Sequence, residues 1–386
     1  MIKTGNVACA ACLLAGVAQA GGLERDRPAE AILFEEGNYA QFSFRSSDPN
    51  VSGEYPAFLG GGSTGDMAGS TTNIGGGLKF QLTDRFDFAL LFSQPYAANA
   101  AYDKGFYNGL TATWRSTSID ALLKYDVTDR VAVYGGPSFL TSSADITIPL
   151  TLANVASDPD GPAGPLPGSI VSTYRAQSST ETDVGFILGA AYQIPDYKLR
   201  VALTYRSEIE HEFDARETYT QLSLPGPAFT PVSTSSKTPI KMPQSLTLDF
   251  QSGVTPKTLV FGSVRWTEWS KWQVKPGAYA AETGREITRF KHDTMTYQLG
   301  VGRAVTDSLS VFARLGHETK KGSTVTRLSP TDGYTSVGIG ASYTVGNAEI
   351  TAGIEHAWLG EAESGTPTDF SDNTATGFGV TIGFRF

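Results

Sequence analysis

Apolar and polar residues alternate along most of this chain with a period of two. In the last ten residues, Gly377 to Phe386, five apolar side chains share one parity, and Gly, Thr and Arg residues take the other. The segment from Tyr197 to Tyr205 alternates in the same way. This period is typical of a β-strand with one apolar and one polar face. Between Asn38 and Phe386 the pattern predicts fourteen strands, of which the ninth runs from Thr258 to Trp272.

The connections between these strands alternate in length. Short turns such as Thr83-Asp84-Arg85 and Thr128-Asp129-Arg130 are separated by long connections such as Ile148 to Val171 and Thr220 to Ile240. An even strand count with short turns at one end and long loops at the other is typical of bacterial outer-membrane barrels. We therefore predict an all-β fold, a 14-stranded antiparallel transmembrane β-barrel, whose last strand pairs with the first so that no edge stays open.

Aromatic residues give a second indication of the same fold. The five tryptophans fall near the long-loop ends of the strands, whereas several Tyr and Phe residues fall near the short-turn ends. Membrane interfaces favour such aromatic belts, so this distribution predicts two aromatic girdles. The tryptophans are Trp114, Trp266, Trp269, Trp272 and Trp358.

The N-terminus predicts export from a Gram-negative cytoplasm. An apolar stretch from Val7 to Val17 precedes Ala18-Gln19-Ala20, a small-x-small cleavage site, so residues 1–20 read as a signal peptide. Both cysteines, Cys9 and Cys12, lie within it, and cleavage leaves no thiol for a disulfide, a metal site or a nucleophile. The net charge of −9 and the lack of a basic run argue against a nucleic-acid partner, and no cofactor or metal is implied.

The inward parity of the predicted barrel is mixed, because charged residues alternate there with apolar ones. Leu91, Leu122 and Phe312 are apolar inward positions that a plain ion-conducting pore does not need. They are candidate ligand contacts, or they pack against a plug or loops. The long loops supply further apolar candidates for a capture groove, with packing between loops as the alternative. These candidates are Phe106, Leu150, Leu152, Leu222, Leu224 and Phe229.

An acidic cluster with one histidine runs from Glu208 to Asp214. It lacks the His-Glu-x-x-His spacing of a zinc site because residue 215 is Ala. Oxygen ligands of this kind could bind a divalent cation. We interpret the cluster as a solvated rim that contacts lipopolysaccharide through cations.

Three blocks in the C-terminal half carry a resemblance to a known family. They are Met242-Pro243-Gln244-Ser245-Leu246-Thr247-Leu248, Val264-Arg265-Trp266-Thr267-Glu268-Trp269-Ser270, and the stretch from His292 to Gly302. In order and spacing they resemble the FadL-type outer-membrane transporters of long-chain fatty acids and hydrocarbons. The similarity continues weakly to Phe386 and back to Gly37.

The resemblance implies a barrel plugged by an N-terminal hatch and opened sideways by a kink in the third strand. The hatch would be residues 21–37, with Ile32, Leu33 and Phe34 at its apolar centre, and residues 38–386 would form the barrel. This segment is shorter than the usual hatch and lacks the family's Asn-Pro-Ala motif. The lateral gate would comprise Ser93, Pro95, Tyr96, Ala97 and Asn99. Pro95 supports the kink physically, because proline cannot donate a ladder hydrogen bond.

These features predict passive transport of a hydrophobic compound by a monomeric, non-enzymatic barrel that contacts outer-membrane lipid. Phe386 would form part of the signal read by the barrel assembly machinery. One alternative is a general diffusion porin for small polar solutes. A less favoured one is a barrel hydrolase that uses a histidine such as His317 or His356.

Overall fold

The computed structural model describes residues 22–27, 30–153, 170–223, 228–322 and 325–386. Strands dominate this part of the chain. They are β1 (Tyr39–Asn50), β2 (Gly53–Glu54), β3 (Thr71–Gln81), β4 (Phe86–Ser93), β5 (Ala97–Ala101), β6 (Thr111–Asp126), β7 (Val131–Ile148), β8 (Tyr174–Ser178), β9 (Glu181–Ile194), β10 (Leu199–Arg206), β11 (Ile209–Ser223), β12 (Ala228–Met242), β13 (Ser245–Thr255), β14 (Thr258–Thr267), β15 (Gln273–Val274), β16 (Thr288–Arg289), β17 (Thr294–Ala304), β18 (Leu309–Glu318), β19 (Tyr334–Val345), β20 (Ala348–Leu359), β21 (Ala362–Glu363), β22 (Asp369–Phe370) and β23 (Thr374–Arg385).

Helices are short and lie in the connections. The α-helices are α1 (Leu150–Ala153) and α2 (Gly277–Thr283). Single 3₁₀ turns span Glu30–Phe34, Ala57–Leu59, Gly105–Tyr107, Pro195–Tyr197 and Trp269–Lys271. Among the described residues no helix is both long and apolar enough to cross a membrane.

Fourteen of the described strands close into an antiparallel barrel, which confirms the predicted fold. Their order around the wall is β1, β3, β4, β6, β7, β9, β10, β13, β14, β17, β18, β19, β20 and β23. The last strand returns to the first, with Phe384 opposite Ala40 and Phe378 opposite Ser46. The predicted pairing of the terminal strand is therefore correct, and the last strand has no open edge.

The alternation seen in the sequence separates an apolar exterior from a polar interior. On β1, Phe42 is 54% exposed on the outer face, whereas its neighbours Gln41 and Ser43 are 7% and 3% exposed on the inner face. Leu188 and Ile339 are likewise exposed on their strands. A continuous outward apolar belt of this kind faces lipid in barrels that span a membrane.

Three strands, β8, β11 and β12, extend the wall beyond this belt on the long-loop side. β11 continues from β10, pairs with β12, and is joined to β7 through β8. The predicted long connection from Thr220 to Ile240 is therefore wrong, because most of it belongs to this hairpin. Phe213, for example, pairs with Thr238. The Ser- and Thr-rich composition of β12 concealed a strand that has no apolar face over much of its length.

The predicted girdle is wrong for three tryptophans. Trp114, Trp269 and Trp272 are 3%, 1% and 4% exposed and pack inside the barrel, whereas Trp358 is 52% exposed on the outer face. The predicted ninth strand also ends earlier, at Thr267, because the chain then turns inward. At a strand end the period of two no longer indicates the direction of a side chain.

One glycine in the wall is required by a close approach of two strands. A Cβ atom at Gly136 in β7 would lie 1.9 Å from the carbonyl oxygen of Ala121 in β6. We expect Gly136→Ala to reduce sharply the yield of folded barrel, because backbone atoms cannot yield as a side chain can. The matched control is Gly338→Ala, where the added Cβ would lie 3.2 Å from the flexible Arg314 side chain and at an ordinary contact distance of 3.5 Å from the Ile354 carbonyl oxygen. Electrophoresis of unheated samples measures the folded fraction, and equal folded fractions for the two variants would contradict this expectation.

Candidate functional site

The 3₁₀ turn Glu30–Phe34 lies inside the barrel toward its short-turn end. Ile32 and Leu33 are 1% and 0% exposed, and Phe34 packs against them in part. They pack in one apolar cluster with the inward positions Leu91 and Leu122. These two leucines therefore contact the N-terminal segment, as the plug-packing alternative proposed. The other members of the cluster are Tyr39, Ala89, Tyr134, Ile187, Ala191 and Ala202.

Ion pairs join this segment to the barrel wall. The guanidinium of Arg206 lies 2.7 Å from Glu30 and 2.8 Å from Asp120, which is buried in the wall. At the other end of the turn, Arg385 lies 2.7 Å from Glu35. Glu30 and Glu35 of the N-terminal segment are thus each linked to a distant strand. Lys79 also donates hydrogen bonds to the carbonyl oxygens of Glu35 and Gly37. The Arg200 guanidinium lies 4.6 Å from the centre of the Phe34 ring.

Two cavities flank the N-terminal segment in the lumen. The larger spans about 980 Å³, part of it open to solvent, and is lined by residues that include Arg27, Phe34 and Phe261. The smaller spans about 540 Å³, also in part open, and Phe312 and Arg314 lie on its wall. Phe312, predicted as a ligand contact, thus borders space that the N-terminal segment does not fill. Both cavities mix charged and aromatic side chains.

The third strand of the barrel is interrupted between Ser93 and Ala97. β4 and β5 both pair with β6, but Ser93 faces Ser118 and Ala97 faces Arg115. Four steps on the third strand therefore match three steps on β6, so the third strand carries one extra residue, as in a β-bulge. β4 pairs with β3, whereas β5 bonds to residues 67–69 instead. The wall is locally unpaired between β3 and β5.

Residues of the N-terminus close this interruption from the inside. The amide of Ala97 donates to the carbonyl of Leu23 at 2.9 Å, and the amide of Arg25 donates to the carbonyl of Pro95 at 2.7 Å. Asp26 forms an ion pair with Arg45 on β1. The segment from Leu23 to Asp26 thus adds as a short strand to an edge that β3 leaves free. We call residues 22–27 the strap.

The predicted gate residues surround the interruption. Ser93 and Tyr96 are buried at 2% and 8% exposure, Ala97 is half-buried, and Asn99 is exposed. On the β3 side, the amide of Ile74 donates to the side-chain oxygen of Gln94 at 2.9 Å, so a side chain replaces the missing ladder bond. Pro95 lies at the centre of the unpaired stretch.

An aromatic layer covers the outer side of the strap. The ring of Tyr96 lies 5.8 Å from that of Trp269, which lies 5.3 Å from Phe290. Trp272 contacts Phe290 at 4.8 Å and Trp114 at 6.1 Å. A Cβ atom at Gly22 would lie 2.4 Å from the Trp269 ring, so the strap and this layer fit tightly. The layer carries no charged member and belongs to the larger apolar cluster that packs beneath the outer loops.

The loop positions predicted as ligand contacts do not form one pocket. Leu152 is fully buried and Phe106 packs in part against the same outer core. Leu150 and Phe229 are 53% and 67% exposed, and Leu222 lies opposite Phe229 at the end of the β11–β12 hairpin. Leu224 lies outside the described residues. The exposed members form an outer group that is separate from Leu91 and Leu122.

Other candidate chemistry lies on the outer surface. Glu208 pairs with Lys241 at 2.8 Å and Asp214 pairs with Lys237 at 3.0 Å, whereas His211 points inward and bonds Asp183. Within the described ranges, no group of three or more His, Cys, Asp or Glu residues is placed to hold a metal ion. His317 and His356 each bond a threonine hydroxyl, that of Thr335 or of Thr376.

Two features of the site were not found from the sequence. Glu24 of the strap accepts hydrogen bonds from Arg265 on β14 at 2.6 and 3.2 Å. The backbone bonds from Leu23 and Arg25 to the third strand join residues 74 and 70 positions apart, Leu23 with Ala97 and Arg25 with Pro95. No local pattern encodes such contacts. The charges near residue 25 were the available signal, since charged residues that enter a barrel need partners on its wall.

Comparison with known proteins decides the family. The sequence profile of the family described as "Outer membrane protein transport protein (OMPP1/FadL/TodX)" matches residues 29–383. The chain belongs to this family. It is accordingly an outer-membrane β-barrel transport protein. A search of curated proteins found no significant match.

Solved structures of the FadL/TodX family share the fold. A FadL homologue from Pseudomonas aeruginosa superposes with a TM-score of 0.74 at 16% identity, covering 95% of this chain and 96% of that one. The toluene transporter TodX of P. putida superposes with a TM-score of 0.65 at 13% identity, covering 92% of each chain. At these identities the similarity establishes the fold of the barrel.

Proposed function

We propose that this chain carries hydrophobic compounds, such as long-chain fatty acids or hydrocarbons, passively across the outer membrane, and releases them sideways at the third strand. The observation that carries the proposal is the interruption between Ser93 and Ala97. There β3 and β5 are not paired, and the strap covers the interruption from the inside through a few backbone hydrogen bonds. A lateral route suits an apolar compound, because it avoids transfer into water.

The outer loops would supply the point of capture. Phe58, Leu150 and Phe229 are large apolar residues that are 74%, 53% and 67% exposed on the long-loop side. From there a compound would pass the aromatic layer around Trp269 and Tyr96, which borders the interruption. The exposed loop residues and the aromatic layer along this path are apolar, and the relative named as a toluene transporter fits such a cargo.

Residues 21–37 would act as the hatch in this scheme. Leu91 and Leu122 contact Ile32 and Leu33 in the closed state, and would line the space that forms when the hatch moves. We further propose that the barrel works as a monomer with a single transport path. The acidic rim at Glu208 to Asp214 would contact lipopolysaccharide, and Phe386 would be read by the assembly machinery.

Uptake by cells tests the proposal. A strain that lacks the gene should take up labelled oleate or an alkane several-fold more slowly than the parent, while uptake of a small sugar stays the same. In planar bilayers the purified barrel should conduct little, because the N-terminal segment and the aromatic layer obstruct the lumen. A large, steady conductance with unchanged oleate and alkane uptake would instead favour the general porin.

A further inference from the structure

A buried carboxylate holds part of the aromatic layer in place. The connection between β14 and β17 carries Trp269, Trp272, α2 and Phe290, and we call residues 268–293 the lid. Glu217 on β11 is 0% exposed and faces the lid. It shares the inward parity of Phe213 and Tyr219, in contrast to the exposed Glu212 and Asp214.

Both oxygens of Glu217 are fully occupied by donors. Oε1 accepts from the Ser236 hydroxyl at 2.6 Å and from the Ala278 amide at 2.9 Å. Oε2 accepts from the Tyr174 hydroxyl at 2.7 Å and from the Tyr279 amide at 2.7 Å. Four donors on one buried carboxylate compensate its loss of hydration.

These contacts replace the missing cap of helix α2. The residue before the helix is Pro276, which offers no capping side chain. The first amide of the helix, that of Gly277, instead donates to the Ser236 hydroxyl at 2.9 Å, and the next two donate to Glu217. The free amides at the start of a helix favour a negative charge. The cap of α2 is therefore supplied by the β11–β12 hairpin, a different part of the chain.

Neighbouring contacts fix the same orientation. The Tyr174 ring lies 4.9 Å from that of Tyr279 on α2. Burial and the adjacent Glu217 raise the pKa of the Tyr174 hydroxyl, so it remains a proton donor. At the other end of the helix, Gln221 donates to Glu282 at 2.9 Å. The hairpin thus holds both ends of α2, with the charged contact at its start.

We propose that Glu217 is a positioning residue whose clamp on α2 keeps the lid closed over the lumen, and that release of this clamp sets the rate at which cargo enters. This inference rests on the proposed transport function. On the proposed path, cargo from the outer loops passes Trp269 and Trp272 of the lid before it reaches Tyr96, which contacts Trp269 at 5.8 Å. Movement of the lid is therefore needed for entry, and the contacts of Glu217 resist it.

The substitution Glu217→Gln tests the clamp with little change in shape. Whichever way the amide is turned, its NH₂ group faces the backbone amide of Ala278 or of Tyr279. One hydrogen bond to the carboxylate is then replaced by repulsion between two N–H donors. We expect hydrogen exchange at residues 277–279 to become at least about tenfold faster. Exchange in β17 and β18 should stay as in the wild type, which shows that the barrel is folded. The matched control is Glu212→Gln, the same change on the exposed face of the same strand.

A disulfide across the clamp tests the effect on entry. A Cβ atom at Gly277 would lie 2.9 Å from that of Ser236, and the chain beyond residue 20 has no cysteine of its own. In the double variant Ser236→Cys/Gly277→Cys, a small outward shift of the lid brings the two Cβ atoms to disulfide distance. Uptake of labelled oleate should be slow in the oxidised protein and recover in reducing agent, whereas Glu217→Gln should speed it.

Two results would overturn the proposal. One is unchanged exchange at residues 277–279 in Glu217→Gln. The other is equal oleate uptake by the oxidised and reduced double variant. If the wild-type barrel carries no oleate or alkane at all, the transport function fails instead, and the clamp is judged from bilayer conductance. The Glu217→Gln barrel should then conduct more than the Glu212→Gln barrel. Equal conductance would refute the proposal that Glu217 keeps the lid closed.

Discussion

Replacing Arg206 by Met should destabilise the folded barrel by about 3–5 kcal/mol, the cost of removing one partner of a buried ion pair. Asp120 is 1% exposed and would keep only the hydroxyls of Ser118 and Ser138 as donors. Met fills a similar volume, so packing changes little. Urea unfolding of the barrel in lipid measures the loss. A change below about 1 kcal/mol, as for an exposed pair, would contradict the buried geometry.

The same substitution should loosen the proposed hatch, because Arg206 also forms an ion pair with Glu30. The two effects can be separated by two further variants. Asp120→Asn in the Arg206→Met background removes the stranded charge and should recover much of the stability, while the hatch stays loose. Glu30→Gln alone should loosen the hatch at a small cost in stability, since the Glu30 side chain is 20% exposed. Bilayer conductance measures how far the proposed hatch opens the lumen, and it should rise in all three variants.

The barrel was predictable because it rests on a local rule. A period of two places Phe42 outside and Gln41 inside whatever else the chain does, and an even strand count closes the sheet. The same rule placed Leu91 and Leu122 inside. It gave no information on what fills the lumen, because the strap reaches the third strand through backbone bonds over a long sequence separation.

The tryptophans and Glu217 show where the local rule stops. Trp269 and Trp272 follow the end of β14, and beyond a strand end their direction depends on the loop that carries them. Glu217 was predictable in part, since its parity differs from that of Glu212 and places it inside. Its four donors come from β8, β12 and α2, and only the folded chain brings them together.

Deleting Pro95 should abolish transport while leaving a folded barrel. The third strand carries one residue too many between Ser93 and Ala97 for the register of β6. Without that residue, β4 and β5 form one continuous strand, and Tyr96 keeps its inward parity. The strand can then rejoin β3, and the lateral opening is lost. Oleate uptake should fall to that of a strain without the gene, with a normal folded fraction on unheated gels.

Two further variants separate the extra residue from the proline itself. Pro95→Ala keeps the residue count and the carbonyl that the strap binds, so uptake should stay near the wild-type level. Deletion of Gln94 in the Pro95→Ala background keeps a carbonyl at position 95 but removes the extra residue, so uptake should be lost again. If both deletions fold and still transport, cargo leaves through the short-turn end of the lumen. The interruption would then be a site where the strap binds rather than an exit.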